Sequence, residues 1–452
     1  MCAIFGITGE KEAAKLTYLG LHALQHRGQE GSGIISTDGT AAFIERHQGL
    51  VGDAYNSDVL ASLKGSAAIG HNRYSTAGSA AAANLQPMFM KGAKGWLGVA
   101  HNGNIANAPS LISSLERDGA IFHSTSDTEV ILHLFARARE ETVEKSLVQA
   151  LKLLQGAYSL LILNKDKLIA VRDPLGFRPL VMGKFRDQVV FASESCAFDL
   201  IGAEYVREIQ PGEMVVVPHS DPNSITSSFP FEKKAPKRCV FEFVYFARPD
   251  SLLYSSRVHD VRKELGRQLA KEQPAPRAEV VIPVPDSGVP AAIGYAEASG
   301  IPFDMGIIRS HYIGRTFIEP EQEIRHLGVK LKLSPVKSCV AGKSVVVVDD
   351  SLVRGTTSKK LIGNLREAGA KEVHVRISAP PTANPCYYGI DTPTRSELMA
   401  SKHTIEQIKN YIGADSLGYL SLDGLTKAAS QNSGEGFCDA CFSGNYPTPV
   451  EV

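Results

Sequence analysis

The stretch VVVVDDSLVRGTTS, residues 345–358, constrains the fold more than any other in the chain. Four consecutive valines without polar alternation suit a strand covered on both faces, as in a parallel sheet held between helix layers. The run ends at Asp349 and Asp350. A short loop with Arg354, Gly355, Thr356 and Thr357 then opens a helix whose Leu361, Ile362 and Leu365 share one face, and Gly369 stands where a helix C-terminus favours glycine. Open α/β sheets bind ligands at the carboxyl ends of their strands. Amides at a helix N-terminus, with Thr hydroxyls and a glycine for close approach, make a phosphate cradle. Paired carboxylates beside it suit ribose hydroxyls and Mg²⁺. Strand-to-helix alternation continues on both sides, from AEVVIPVPDSG into VPAAIGYAEASG and on to EVHVRISAP, so residues 237–452 read as a doubly wound α/β domain.

The pattern differs before residue 236. Short strand-like runs with Gly-rich turns dominate, among them CAIFGIT, SGIIST, SAAIGHNRYST and GEMVVVP, and YSLLIL-NKD-KLIAVR reads as a hairpin. Two helical stretches interrupt them, at about Asp127 to Arg139 and Val143 to Leu154, the second stopped by Gly156. Many strands with few helices suggest an α+β or layered-sandwich domain over residues 2–236, with the Pro-, Ser- and Lys-rich stretch from Ser220 to Lys237 as linker. Lys+Arg and Asp+Glu both number 48 in the 452 residues, so no global field draws in nucleic acid or a membrane surface. No apolar run nears the roughly 20 residues that span a bilayer, and a signal peptide's basic segment and apolar core are lacking. A cytoplasmic enzyme with reduced cysteines is the expectation, and its seven cysteines then point to metal or catalysis before disulfides.

One cysteine stands directly after the initiator methionine. A thiol at position 2 gains a special chemistry only if Met1 is removed, because Cys2 then carries a nucleophile and a free amine on one residue. Taken alone it could equally be a small apolar residue opening an edge strand. Three polar clusters bear on the choice: HNRYST (71–76), AHNGNI (100–105) and STSDTE (124–129). A thiolate attacking a carboxamide needs donors for the oxyanion, and Asn102 with the Gly103 amide supplies them. An amino-acid substrate needs a cation for its carboxylate and an anion for its ammonium group; Arg73 and Asp127 fit. Singly, Asn-Gly can be a turn and Asp127 a helix N-cap.

Jointly, with QHRGQEGSG (25–33), these residues resemble the class II glutamine amidotransferases, which are N-terminal-nucleophile hydrolases built as αββα sandwiches. The resemblance implies that Cys2 attacks glutamine, that Asn102 and Gly103 hold the oxyanion, and that Arg73 and Asp127 bind the amino-acid end with Arg27 in the site wall. Many relatives carry a short pro-segment before the cysteine; none stands here, so removal of Met1 alone is the expected processing. VVVVDDSLVRGTTS resembles the phosphoribosyl-pyrophosphate (PRPP) signature of the type I phosphoribosyltransferases. By that likeness the loop grips the 5′-phosphate, Asp349 and Asp350 hold ribose and Mg²⁺, and VPVPDSG, with Asp286 and Ser287, is the pyrophosphate loop, Ser287 also facing the metal. The two units in this order resemble the amidophosphoribosyltransferases along nearly the whole chain. That family opens purine biosynthesis by making 5-phosphoribosylamine, glutamate and pyrophosphate from glutamine, PRPP and water. A homo-oligomer, a tetramer by family resemblance, and feedback inhibition by purine nucleotides are further implications. A glucosamine-phosphate synthase would lack the PRPP signature, and a purine repressor of this fold would not need the Cys2 set.

RSHYIGRTFIEPEQEIRHLGVKLKLSPV (309–336) resembles the family's flexible loop, with Arg309, Arg315, Lys330 and Lys332 as candidate pyrophosphate partners; many relatives carry Asn where Ser310 stands. FCDACFSG offers Cys438 and Cys441 as a C-x₂-C pair, which with two distant thiols can complete a zinc or an iron–sulfur site. Spacing alone leans to zinc. CVFEFVYFARPDS at Cys239 and NPCYYGID at Cys386 instead match family members with a [4Fe–4S] cluster, which implies a structural cluster on Cys239, Cys386, Cys438 and Cys441. Cys196 and Cys339 carry no motif and read as packing residues.

Overall fold

The computed structural model describes residues 1–74, 82–310, 333–392, 394–434 and 436–450. Arg315, Lys330 and Lys332 lie outside the described residues. Two sheets build the first unit. One has seven strands in the order Glu204–Glu208, Val181–Phe185, Gln188–Ala192, Ala3–Thr8, Ala67–Arg73, Gly31–Thr37, Ala42–Gln48. The other has six, in the order Thr226–Ser228, Met214–Pro218, Lys167–Arg172, Gly156–Leu163, Gly95–Ile105, Met88–Gly92. Their facing sides make a dry layer of Ile4, Ile35, Ile69, Leu161, Phe191 and Val215. The outer side of the first sheet carries the helices Ala13–Ala23 and Cys196–Ile201; that of the second carries Ala108–Arg117, Thr128–Arg137 and Val143–Leu151. The result is the helix–sheet–sheet–helix sandwich that the resemblance implies.

The AIFGIT strand is buried throughout because both of its faces are covered. Ala3, Phe5 and Ile7 face the helices, while Ile4 faces the second sheet. The hairpin forms as read, with Leu163 opposite Leu168. Two details differ. The helix from Val143 ends at Leu151, and Gly156, with φ +114°, starts the next strand instead of closing the helix. The helices Ala13–Ala23 and Ala108–Arg117 are additional; the first buries small residues (Ala13, Ala14, Thr17, Gly20), a face with little hydrophobic contrast.

The second unit holds a four-stranded parallel sheet, in the order Val280–Pro283, Ser344–Asp349, Glu372–Ile377, Ser416–Tyr419. Its four valines divide as a doubly covered strand requires. Val346 and Val348 enter the core beneath the helices Val258–Glu272, Val289–Ser299 and Leu422–Ser433. Val345 and Val347 enter the opposite core, beneath Thr356–Glu367 and Ile405–Ile412. The strand therefore delivers Asp349 and Asp350 to the sheet's carboxyl edge with little freedom to shift.

Candidate active sites

In the first unit the chemistry gathers at one end of the two sheets. Ala3 pairs with Asn72 and Gly31 with Arg73, which sets Cys2 beside the end of the strand Ala67–Arg73. The Cys2 thiol lies 3.5 Å from the Tyr74 carbonyl oxygen. A bond between His71 Nε2 and the His101 carbonyl, 3.1 Å long, ties this strand to Gly95–Ile105, which carries Asn102 and Gly103. Arg73 is buried and donates to the Asn84 carbonyl at 2.7 Å. Asp127 stands at the N-cap position of the helix Thr128–Arg137, but its side chain makes no capping bond and instead accepts the Ile105 amide at 2.8 Å, pinning the end of the Asn102 strand.

Asn102 is wholly buried, and neither its amide nitrogen nor its amide oxygen has a partner among the described residues. Leaving such a group unsatisfied costs about 1–3 kcal/mol, so its retention calls for a partner that arrives later. Next to it, a Cβ on Gly103 would stand 2.0 Å from the Ala157 carbonyl oxygen, so only glycine fits. A buried amide donor and a backbone N–H side by side suit an oxygen that turns negative.

In the second unit a cavity of about 630 Å³ opens at the carboxyl edge of the parallel sheet, lined by Ser287, Asp349, Asp350 and the whole loop Ser351 to Ser358. Gly355 takes φ +71° and turns the chain into the helix Thr356–Glu367, so Thr356 and Thr357 line the cavity from the first turn, where backbone amides lack intrahelical partners. Arg354 lines the cavity and pairs with Glu397 at 2.9 Å. Burial, and then the neighbouring Asp350 charge, push the Asp349 carboxyl well above the ordinary range. Two carboxylates forced together in this way accommodate a cation. Asp286 lies between the lining residues Pro285 and Ser287, and its exposed carboxylate is held at 2.8 Å by Arg309, which also lines the cavity.

The sequence from 71 to 199 matches the family model described as a glutamine amidotransferase domain, and 258 to 391 matches that of a phosphoribosyl transferase domain. The amidophosphoribosyltransferase of Bacillus subtilis (strain 168) is 49% identical over 453 residues, 99% of this chain and 94% of its own. That of Methanocaldococcus jannaschii is 48% identical, covering 100% of this chain and 98% of its own. The chain belongs to the amidophosphoribosyltransferases. Among solved structures, the glutamine PRPP amidotransferase of B. subtilis complexed with ADP and GMP superposes with a TM-score of 0.93 at 47% identity, covering 100% of this chain and 98% of that one. A structure described as the allosteric regulatory enzyme of purine biosynthesis superposes with a TM-score of 0.94 at 48% identity, covering 100% of this chain and 97% of that one. This amidophosphoribosyltransferase accordingly takes its nitrogen from glutamine and its sugar from PRPP. No helix among its described residues is long and apolar enough to cross a membrane.

One expected site residue is placed differently. Arg27 is fully buried, so it does not form an open wall for glutamine. Its Nε donates to the Cys2 carbonyl at 3.1 Å, and its guanidinium pairs with Glu242 at 2.8 Å and with Glu194. It holds the nucleophile's backbone from behind. Burial opposes ionisation of Glu194, but His26 and Arg27 outweigh it and hold the carboxyl well below its usual range. Glu242 belongs to the second unit, so this buried ion cluster also joins the units. Tyr74 was absent from the expected set: its carbonyl meets the Cys2 thiol and the residue also lines the PRPP cavity.

The four cysteines of the proposed cluster converge. Cys239, Cys386, Cys438 and Cys441 line one small enclosed cavity with Phe177, Phe241 and Tyr388. Parallel pairing sets Cys239 opposite Cys438, which anchors the C-terminal stretch to residue 239. Burial raises the Cys239 thiol to about 11 and lifts those of Cys438 and Cys441 further. Among the described residues, no group of three or more His, Cys, Asp or Glu is already arranged to hold a metal ion.

Proposed function

We propose that the Cys2 thiolate attacks the glutamine carboxamide and releases ammonia, and that water then frees glutamate from the thioester. Asn102 and the Gly103 amide hold the oxyanion, while Arg73 and Asp127 bind the amino-acid end. The unpartnered buried Asn102 amide carries this reading. Met1 must be removed first, since its peptide bond occupies the Cys2 nitrogen. Ammonia then passes Tyr74 into the second cavity and attacks C1 of PRPP, where the C1–oxygen bond breaks and pyrophosphate leaves. The loop from Arg354 to Thr357 holds the 5′-phosphate. Asp349, Asp350 and Ser287 hold Mg²⁺ and the ribose hydroxyls. Bound Mg²⁺ supplies positive charge for the departing pyrophosphate.

Isotope retention tests the passage. With amide-¹⁵N glutamine and a large excess of unlabelled ammonium, the product is expected to carry ¹⁵N far above the bulk ratio. Label diluted to the bulk ratio would show that ammonia leaves the protein between the sites.

A [4Fe–4S] cluster on Cys239, Cys386, Cys438 and Cys441 is part of the proposal. Four thiols lining one small cavity supply the ligand number that a [4Fe–4S] cluster needs, and the resemblance of the Cys239 and Cys386 motifs to cluster-carrying family members favours it over one zinc. Its role is structural: neither amide hydrolysis nor displacement at C1 transfers an electron. Anaerobically purified protein should be brown, contain iron and acid-labile sulfide, and bleach in oxygen with a parallel loss of activity. Cys438→Ser should give little folded protein and Cys339→Ser nearly normal protein, read by metal analysis and yield. One equivalent of zinc without iron would keep the ligands and refute the cluster.

Assembly as a homo-oligomer, inhibition by purine nucleotides and a cytoplasmic location complete the proposal. The ADP and GMP of the B. subtilis structure support the second, and seven cysteines with no disulfide among them, as a reducing compartment keeps them, support the third.

A further inference from the structure

We infer that residues 386–389 of the second unit form a strut that fixes the oxyanion strand of the first, with Asn104 and Gly389 as positioning residues for glutamine hydrolysis. The inference rests on the glutaminase reading above. Asn104 Nδ2 donates to the Tyr387 carbonyl at 3.0 Å. Two residues on, Gly389 at φ +101° lies so close that a Cβ there would stand 2.9 to 3.1 Å from the C, O and Cα of Gly103. Ala157 blocks Gly103 from another direction, its carbonyl 2.0 Å from where a Gly103 Cβ would lie. The Gly103 peptide thus sits in a slot, one wall of which the second unit supplies.

The strut is itself braced. The Tyr388 carbonyl accepts Nε and Nη2 of the buried Arg178 at 2.7 and 2.6 Å, and the Tyr388 ring stacks on Phe177 at 4.3 Å. At its start the Cys386 amide donates to Thr392 Oγ1 at 2.6 Å, closing residues 386–392 into a compact loop. One end of that loop faces the cysteine cavity, while Ile390, Asp391 and Thr392 line the PRPP cavity. Asn104, unlike Asn102, already spends its amide on the partner backbone. It therefore acts through Gly103.

Oxyanion donors work only where their geometry is held, and displacement by about 1 Å can cost ~10²-fold. Gly389→Ala and Asn104→Asp, each in the full chain, test the strut. Both variants should lower kcat for glutamine hydrolysis roughly 10- to 100-fold with glutamine KM within about twofold, because the oxyanion contact forms only in the transition state. Ammonia-dependent synthesis and the melting temperature should stay near wild type in Asn104→Asp. Unchanged glutamine kcat in both variants would overturn the inference, and so would a proportional fall of both reactions, which marks a merely structural contact. Cys2→Ala, run alongside, separates the two failures: if it keeps glutamine-dependent synthesis, the glutaminase reading itself is wrong.

Discussion

Cys2→Ala is expected to abolish synthesis from glutamine while synthesis from added ammonia continues at nearly the wild-type rate. The thiol forms the only covalent bond proposed for amide hydrolysis, and loss of a covalent nucleophile costs on the order of 10⁴-fold or more, about 5.5 kcal/mol. The substitution removes a single sulfur from a buried position whose backbone stays held by Arg27. Folding should therefore survive. The second cavity lies at the edge of a different sheet and does not include the thiol among its lining residues. Parallel assays with glutamine and with ammonium chloride, on protein of unchanged melting temperature, decide the matter. Loss of both activities in a folded variant would refute the division of labour between the sites.

How much of this was legible in the sequence depended on whether the signal was local. The valine run was legible because each residue of a doubly covered strand must be apolar, and alternate valines do enter opposite cores. Gly355 reads as a glycine for close approach to a phosphate; the structure adds that its φ of +71° turns the chain into the helix. Cys2, Asn102 and Asp127 entered the expected site only through their joint resemblance to a family, since each alone had an ordinary structural use. For Asp127 the structure removes that use, because the carboxylate holds the Ile105 amide instead of capping its helix.

Long-range pairing stayed hidden. Arg27 entered the expected site only as a wall residue, yet its partners Glu194 and Glu242 lie 167 and 215 residues away. Nothing near position 27 announces them. The same holds for Tyr74, whose two contacts lie in different units, and for Gly389, whose missing side chain matters only because Gly103 approaches it. The helix Ala13–Ala23 was missed for another reason. It packs with alanine, threonine and glycine against a sheet, so close approach replaces hydrophobic contrast, and a Cβ on Gly20 would stand 2.3 Å from the Phe5 ring.

Asp349→Asn and Asp350→Asn should each lower ammonia-dependent synthesis by two or more orders of magnitude, since one charged group facing a developing charge is worth ~3 kcal/mol or more. Glutamine hydrolysis should persist. Stability gives the sharper signature. The Asp349 carboxyl is held above its usual range by burial and by Asp350, so ionising it weakens the fold. Its contribution is most favourable below the unfolded-state pKa of about 4 and is lost as pH rises from there toward the elevated folded value. At neutral pH the uncharged carboxamide of the Asp349→Asn variant escapes that penalty, and this variant should melt at or above the wild-type temperature. Mg²⁺ with PRPP should then raise the melting temperature of the wild type but not of the variant, because binding to the folded state alone stabilises it. A strand end that served the fold would behave oppositely, losing stability with activity. Activity lost, stability kept and the ligand-induced shift gone would together mark Asp349 as a binding carboxylate, whereas unchanged phosphoribosyl transfer in both variants would remove the PRPP site from this sheet edge.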